Sequence, residues 1–218
     1  MNEQELRHDI CRVGRSLFER GYAHATAGNI SARLDEGYLI TPTDACLGFL
    51  DPDRLAKLDA AGNALSGDRP SKTIALHRRI YEADGSARAV IHTHSTHLVA
   101  LTLAGVREGD DMVPPITPYF VMKVGHVPLI AYHRPGDPDV GERVAQAIGR
   151  FAAKGTPIRA VMLERLGPTV WHDSPGAAMA VLEELEETAK LWLLSNREAA
   201  PLREDAIDEL RRAFGARW

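Results

Sequence analysis

The sequence predicts an α/β domain in which helices flank a mixed β-sheet. Segments with apolar residues at helical spacing alternate with short apolar segments typical of strands, which is the pattern of a layered α/β domain. The early strands are joined by tight turns, so we expect part of the sheet to be antiparallel. With 218 residues, 44% of them hydrophobic, the chain has the size of one large domain.

The first part of the chain is predicted to form a helix and then a β-hairpin. Four apolar residues recur at helical spacing: Leu6, Ile10, Val13 and Leu17. Gly21 ends this pattern. Residues 29–34 and 38–41 then form two strands around a turn at residues 35–37.

The middle of the chain is predicted to form a helix, a strand and a second, short helix. We expect the first helix to begin at Pro70 and Ser71 and to run to about Glu82, with four residues on its inner side: Ile74, His77, Ile80 and Tyr81. The strand covers residues 89–91. Ser95 is expected to cap the short helix, which runs to Leu103 and is ended by Gly105.

The second half of the chain continues the alternation of strands and helices. We expect, in chain order, a strand over 127–132, a helix capped by Asp137, a strand over 160–163, a helix over 174–194 and a helix over 205–214. Residues 196–203 have the composition of a linker. No boundary is visible within residues 1–195, so we expect 1–218 to be a single domain in which 196–218 supply a C-terminal linker and helix.

Composition argues against several classes of protein. A formal net charge of −4 and the lack of a basic block argue against nucleic-acid binding. Only two cysteines are present, Cys11 and Cys46, which fits a reducing compartment. The acidic opening at 1–5 is unlike a secretory signal, and no apolar run approaches the roughly 20 residues of a membrane helix. We therefore expect a cytoplasmic protein that binds neither membranes nor nucleic acids.

Two histidines at the end of the predicted strand 89–91 form a candidate metal site. In the sequence His92-Thr93-His94, both imidazoles fall on one face of a strand, with their Cα atoms roughly 6–7 Å apart. This spacing suits two ligands of one Zn²⁺ or similar ion. The alternative is a pair of strand-end histidines that bond only to the backbone. A metal site also usually needs at least a third protein ligand.

Three short polar segments are candidates for an anion site. They are Gly28-Asn29, Thr41–Asp44 and Pro70–Lys72. A helix that begins at Ser71 would offer backbone N–H groups and a favourable dipole, and Lys72 would add positive charge. The alternative is that these residues are ordinary caps and turns.

Several motifs occur together in the order known from one family. They are Ala27–Ser31, Thr41–Thr43, Pro70–Lys72, His92–His97 and Gly167-Pro168. With them the chain resembles the class II aldolase/adducin family over nearly its whole length. A finer set is similar to the branch of that family that decarboxylates 3-oxo-tetronate 4-phosphates: Cys46–Pro52, Ser66–Asp68, Thr117–Tyr119, Arg134–Pro138 and Glu183–Lys190.

The resemblance implies a fold, a cofactor, a substrate and an assembly. The fold would be a three-layer α/β/α sandwich with a mixed, largely antiparallel central sheet. A divalent metal, usually zinc, would be held by three histidines, two of which match His92 and His94, and would act as a Lewis acid that stabilises an enediolate. The protein would be a homotetramer with active sites at subunit interfaces. The phosphate of a phosphorylated sugar-acid substrate would bind to Gly28, Asn29, Thr43, Ser71 and Lys72.

Two positions depart from the family pattern. The family's third histidine lies in an Asn-His-Gly-Pro motif, whereas this chain has Leu166 before Gly167-Pro168. The aldolases carry a catalytic Glu where this chain has Thr73. A decarboxylase tolerates the second change better, because loss of CO₂ replaces the proton abstraction for which an aldolase needs a general base. A decarboxylase also needs a proton donor, for which Tyr119 is a candidate. The alternative is that Tyr119 is an ordinary aromatic residue of the core or of an interface.

The missing histidine leaves several hypotheses open. Glu164 would share a face with Leu166 if the strand before it continued, and three further histidines are candidate ligands: His126, His133 and His172. The leading hypothesis is a metal-dependent lyase that decarboxylates 3-oxo-tetronate 4-phosphate to dihydroxyacetone phosphate. The alternatives are a class II sugar-phosphate aldolase or epimerase, which Thr73 disfavours, and a non-catalytic adducin-like protein, which Leu166 favours.

Overall fold

A computed structural model describes residues 2–105 and 111–218. Within these ranges the strands form one eight-stranded sheet in the order β4-β3-β2-β1-β5-β8-β7-β6. Neighbouring strands are antiparallel, except β6 and β7, which run parallel. The strands are β1 Asn29–Leu34, β2 Gly37–Ile40, β3 Ala56–Leu58, β4 Ala64–Ser66, β5 Ala89–His92, β6 Leu129–Ile130, β7 Ala160–Leu163 and β8 Gly167–His172.

Helices cover both faces of the sheet. The α-helices are α1 Glu3–Glu19, α2 Ile74–Ala83, α3 Thr96–Leu103, α4 Asp139–Ala153, α5 Pro175–Leu194 and α6 Glu204–Phe214. Short 3₁₀ turns occur at Leu47–Phe49 and Pro52–Arg54, and a π-helical turn at Phe120–Val124. Among the described helices, none combines the length and the apolar character needed to cross a membrane.

The side chains of the sheet alternate between two hydrophobic cores. In β5, Ile91 packs into the core with α1, α3 and α5, whereas Val90 packs into the core with α2 and α4. This alternation is the two-residue period of a strand that is buried on both faces. The predicted three-layer α/β/α architecture with a mixed, largely antiparallel sheet is therefore confirmed.

Most predicted elements occur, but four details of the prediction are wrong. The helix α2 begins at Ile74 rather than at Pro70, because Ser71 N donates a hydrogen bond to Thr41 O and holds residues 71–73 in a turn. The strand predicted over 127–132 is only the two residues of β6. Three strands were not predicted at all: β3, β4 and the central strand β8.

The fourth error concerns the cap of α3. Ser95 occupies the N-cap position, but its side chain makes no capping bond. Its Oγ lies 2.6 Å from Thr93 Oγ1 instead. The cap comes from a distant carboxylate, because Glu186 of α5 accepts hydrogen bonds from His97 N at 2.8 Å and from Leu98 N at 3.1 Å.

The C-terminal segment returns to the body of the molecule. Leu202 N donates to Pro115 O at 2.8 Å, and Ile207 of α6 is buried. The Trp218 ring stacks on His126 with ring centroids 4.3 Å apart. The helix that follows the predicted linker thus packs beside the π-helical turn of the same chain.

Candidate functional site

A cleft of about 480 Å³ lies beside the C-terminal end of β5. Its walls come from α2, from the segment that leads into α4, and from the ends of β5 and β7. Both candidate metal ligands line this cleft, together with Asn29, Lys72 and Thr73. The sheet therefore brings residues from five distant parts of the sequence to one site.

Strand register explains why these side chains meet. His92 pairs with Asn29 of β1 on one side and with Thr169 of β8 on the other. Residues directly opposite each other in antiparallel strands project to the same face. His92 also lies two residues after Val90, so the whole row points toward α2 and α4.

The imidazole of His92 is oriented for a ligand at Nε2. Its Nδ1 lies 2.9 Å from Pro168 O and 3.1 Å from Thr169 Oγ1. A carbonyl oxygen only accepts, so Nδ1 carries the proton and Nε2 keeps its lone pair. Burial, with a further contribution from His94, lowers the pKa of His92 to about 4, so the ring is neutral at pH 7. A backbone-held neutral imidazole is the usual form of a metal-ligating histidine.

The second imidazole lies at a distance that suits one shared metal ion. The ring centroids of His92 and His94 are 5.2 Å apart. With metal–nitrogen bonds of about 2.1 Å, two imidazoles on one tetrahedral zinc have centroids about 5 Å apart. Partial burial and the neighbouring His24 lower the pKa of His94. The two rings therefore fit a divalent metal, although within 2–105 and 111–218 no group of three or more His, Cys, Asp or Glu residues is arranged to hold an ion.

Neither Leu166 nor Glu164 offers a third ligand to the cleft. Leu166 lines the cleft as an apolar wall. Glu164 does not share its face, because β7 ends at Leu163 and Arg165 turns the chain with φ +64°. The Glu164 carboxylate accepts a hydrogen bond from Tyr132 N instead, at 2.9 Å.

The three histidine candidates have different surroundings. His126 pairs with Asp111, with Nδ1 and Oδ2 2.8 Å apart. His172 makes a contact of the same length with Asp173. His133 lines the cleft, and its Nδ1 bonds to Ala131 O.

The predicted anion-binding residues form a connected group at the start of α2. Asn29 Nδ2 and Ser71 Oγ each donate to Thr73 Oγ1, both at 3.2 Å. Thr43 Oγ1 donates to Pro70 O at 2.8 Å and joins the second loop to this group. Lys72 is exposed and lines the cleft. The helix N-terminus that we predicted at Ser71 belongs to Thr73 and Ile74 instead.

Gly28 sets the distance between the first loop and β5. Its φ is +91°, in the left-handed region that favours glycine. A Cβ atom at this position would lie 2.7 Å from His92 O. Gly28 therefore supports the strand end that carries the histidines and does not itself line the cleft.

The carboxylates that line the cleft are already engaged. Glu82 pairs with Arg79. Asp137 Oδ1 accepts from Asp139 N at 3.1 Å, at the start of α4. Position 73 carries a threonine hydroxyl, so in this cleft no free carboxylate of a described residue can act as a general base.

Tyr119, the candidate proton donor, lies outside the cleft of its own chain. It directly precedes the π-helical turn, and 60% of its surface is exposed. It is not among the residues that line the cleft. Tyr119 therefore does not contribute to the cleft of its own chain.

Two parts of the site were missed in the sequence. His24, in the loop after α1, has its ring centroid 6.4 Å from that of His94. No local pattern marks it, because only the fold brings this loop to β5. The second is a buried network in which Ser31 Oγ lies 2.8 Å from His77 Nδ1 and 2.7 Å from Tyr81 OH. This network could have been predicted from the sequence, because Ser31 is a polar residue within a buried strand that faces the inner side of a helix.

Comparisons with known proteins agree with one another. The family model described as Class II Aldolase and Adducin N-terminal domain matches residues 8–193. The chain is 59% identical to the 3-oxo-tetronate 4-phosphate decarboxylase of Cupriavidus necator, over 99% of each chain. It is 43% identical to the protein of the same name from Pectobacterium atrosepticum, over 96% of this chain and 94% of that one.

A solved structure extends the agreement to three dimensions. YgbL of Klebsiella pneumoniae is 43% identical and superimposes with a TM-score of 0.86. The superposition covers 97% of this chain and 100% of that one. The similarity therefore includes the sheet and both helical layers.

Proposed function

Because this chain belongs to the class II aldolase and adducin family, we propose that it is a carboxy-lyase that converts 3-oxo-tetronate 4-phosphate to dihydroxyacetone phosphate and CO₂. One observation carries the choice of reaction. The cleft places two neutral imidazoles beside Asn29, Lys72 and Thr73, with no free carboxylate among them. This set suits a reaction that needs an electron sink and a phosphate site but no carboxylate base. The full-length identity to decarboxylases supports the same substrate.

His92 and His94 would hold the metal through ring nitrogens that point into the cleft. Zinc is the ion that best suits imidazole ligands at this spacing. When bound, the metal supplies a Lewis acid that polarises the 3-oxo group. The Pro168 carbonyl fixes the tautomer of His92, and the close approach of Gly28 fixes the end of the strand.

The substrate phosphate would bind at the start of α2. Lys72 brings the positive charge, and the start of α2 adds the positive end of the helix dipole. The Thr73 and Ile74 amides donate to Ser71 Oγ and Ser71 O, respectively. Asn29 and Ser71 donate to Thr73 Oγ1, so the Thr73 hydroxyl proton is free to bond to the substrate. Thr43 and Gly28 hold the two flanking loops in place.

In the chemistry, the bond between C1 and C2 breaks and its electron pair moves toward the 3-oxo oxygen. CO₂ leaves, and a proton added at C2 gives dihydroxyacetone phosphate. The proton donor in our proposal is Tyr119 of a neighbouring copy, because this phenol is exposed and lies outside its own cleft. The proposal thus includes a homotetramer with active sites between subunits.

The same proposal covers the organisation of the chain. Residues 1–218 would act as one domain, and residues 196–218 would be its linker and C-terminal helix. The protein would work in the cytoplasm, where its sparse cysteines stay reduced.

The test is the release of CO₂ from 3-oxo-tetronate 4-phosphate by zinc-loaded protein, with dihydroxyacetone phosphate measured as the second product. We expect equal amounts of the two products. His92→Ala should remove the activity, whereas His8→Ala, at an exposed position of α1, should leave it unchanged. Absence of CO₂ release, beside an active Cupriavidus necator enzyme, would contradict the proposal.

One observation supports a non-catalytic alternative. Leu166 gives the cleft an apolar wall that cannot ligate a metal. If the chain is a binding protein, the purified protein will contain no metal even after growth with added zinc. Activity that appears only in the Leu166→His variant would support the same alternative.

A further inference from the structure

We propose that His24 is the third protein ligand of the metal site. The inference rests on the proposed function only in that it assumes a metal at His92 and His94. A catalytic zinc usually has three protein ligands and one open position for substrate. The proposed function takes two ligands from the cleft, His92 and His94, and the wall at position 166 is apolar.

Distance is the first argument. The ring centroid of His24 lies 6.4 Å from that of His94, against 5.2 Å between His92 and His94. Two rings on one tetrahedral ion have centroids about 5 Å apart, so the His24 ring has to come about 1 Å closer to His94; before this movement the described residues hold no three-ligand group. Rotation about its side-chain bonds covers such a displacement.

Freedom of the side chain is the second argument. His24 is exposed, and its ring has no hydrogen bond or ion pair with any described residue. By contrast, His126 and His172 are each paired with an aspartate. His24 therefore reaches a metal without first breaking another interaction.

The third argument is that the loop is held in place on both sides of His24. Before it, Tyr22 is buried and its OH donates to Glu187 Oε1 at 2.9 Å. After it, Ala27 N donates to His24 O at 2.9 Å, and Gly28 packs against His92 O. Ala25 takes a left-handed conformation, with φ +47°, which costs energy for a residue with a Cβ. The loop is thus anchored on both sides of His24, which keeps this histidine near His94.

His133 is the competing ligand, since it is the other histidine of the cleft. Its Nδ1 bonds to Ala131 O, so its Nε2 is also open. His133→Ala is thus a matched control, because it removes an imidazole from the same cleft.

The experiment measures zinc affinity by competition with a chromophoric chelator, and the visible spectrum of Co²⁺-loaded protein. We expect one metal per chain in the wild type. His24→Ala and His24→Gln should lower zinc affinity by at least about 10-fold, a loss already typical when an outer partner of a metal ligand is removed. The Co²⁺ absorption should weaken as water replaces the imidazole, whereas His133→Ala should change neither quantity.

A second variant tests the geometry from the other side. Leu166→His in the His24→Ala background places an imidazole on the cleft wall at position 166, and we expect it to restore zinc affinity and Co²⁺ absorption. Circular dichroism and thermal unfolding verify that each variant is folded.

The inference is overturned if His24→Ala keeps wild-type affinity and spectrum, or if His133→Ala causes the loss instead. Either result leaves the proposed decarboxylation intact. Conversely, metal binding that depends on His24 without CO₂ release refutes the decarboxylation alone. A wild type that binds neither zinc nor Co²⁺ overturns the inference together with the metal chemistry of the proposed function.

Discussion

The two faces of the sheet treat their buried polar groups in opposite ways. On the face covered by α1, α3 and α5, Glu186 is 5% exposed, and both of its oxygens accept hydrogen bonds from the first turn of α3. On the face covered by α2 and α4, Asn29 Oδ1 and His77 Nε2 are buried without a partner among the described residues.

The difference separates a structural use of polarity from a functional one. An unpaired buried polar atom lowers the free energy of unfolding by about 1–3 kcal/mol. A protein that keeps such atoms therefore has a use for them other than stability. Here Asn29 lines the cleft, and His77 lies on the same face of the sheet. On the α1/α3/α5 face, the buried carboxylate caps a helix. On the α2/α4 face, buried polar atoms stay unpaired near a candidate ligand site.

The largest effect is expected on the functional face. His92→Ala removes a ring that the backbone orients toward the cleft, and with it the electrostatic stabilisation that a metal gives, worth several kcal/mol. We expect loss of bound metal and a fall in decarboxylation rate of about 1,000-fold. Metal analysis and the initial rate of CO₂ release check this result. Full metal content in the variant would show that the cleft is not the metal site.

The next effect is on the structural face. Glu186→Leu leaves His97 N and Leu98 N without an acceptor in a buried position. The free energy of unfolding should fall by about 3 kcal/mol, from two amides at about 1–3 kcal/mol each. Urea unfolding measures the change. The control is Glu183→Leu on the same helix, whose partner Arg20 is half exposed, so a loss of no more than about 1 kcal/mol is expected. Equal losses would remove the contrast between the faces.

A smaller effect tests the anion site at the start of α2. Lys72→Met removes the positive charge at the cleft. It should raise KM for the phosphorylated substrate about 10-fold and change kcat little, because an exposed hydrogen bond to a charged group is worth about 1.5 kcal/mol. Steady-state kinetics separate the two constants. Lys190→Met, on α5 beside Glu187, serves as the control for charge alone. A fall in kcat without a change in KM would contradict phosphate binding by Lys72.

The smallest effect, counted per pH unit, is a pH dependence of the free energy of unfolding. Burial lowers the pKa of His77 to about 3, whereas an unfolded histidine titrates near 6.5. As the pH drops below about 6.5, the unfolded state binds more protons than the folded state. The free energy of unfolding therefore decreases, by at most about 1.4 kcal/mol per pH unit, until the folded His77 titrates. His77→Gln should flatten this slope in urea unfolding of the metal-free protein between pH 7 and about pH 4. An unchanged slope would show that other groups govern it.

Local patterns predicted the elements whose signal is contained in the segment itself. The hairpin of β1 and β2 follows from two apolar runs around a tight turn, and α5 from its apolar stripe and the Ser174 cap, whose Oγ accepts from Ala177 N. The strand β8 was missed because the sequence Gly167-Pro168 is typical of a turn. Both are tolerated at the first positions of a strand, where Pro168 O instead serves as the acceptor for His92.

The candidate site shows where local patterns end. The motif residues His92, His94 and Asn29 were identifiable because they carry family motifs, and the structure places them in one cleft. The start of α2 was misplaced because a hydrogen bond from Ser71 to a loop 30 residues earlier holds the turn, Thr41 being its acceptor. His24 had no signal at all, since its proximity to His94 exists only in the folded chain.

The two ends of the sheet are short, and this limits how copies of the protein can associate. The end strand β4 has three residues and the end strand β6 has two. A long open strand edge recruits another chain by backbone hydrogen bonding and leads to aggregation, and very short edge strands offer little of such a template. Association between copies is therefore favoured through side chains of helices and loops, where the sequence can specify the partner, rather than by continuation of the sheet.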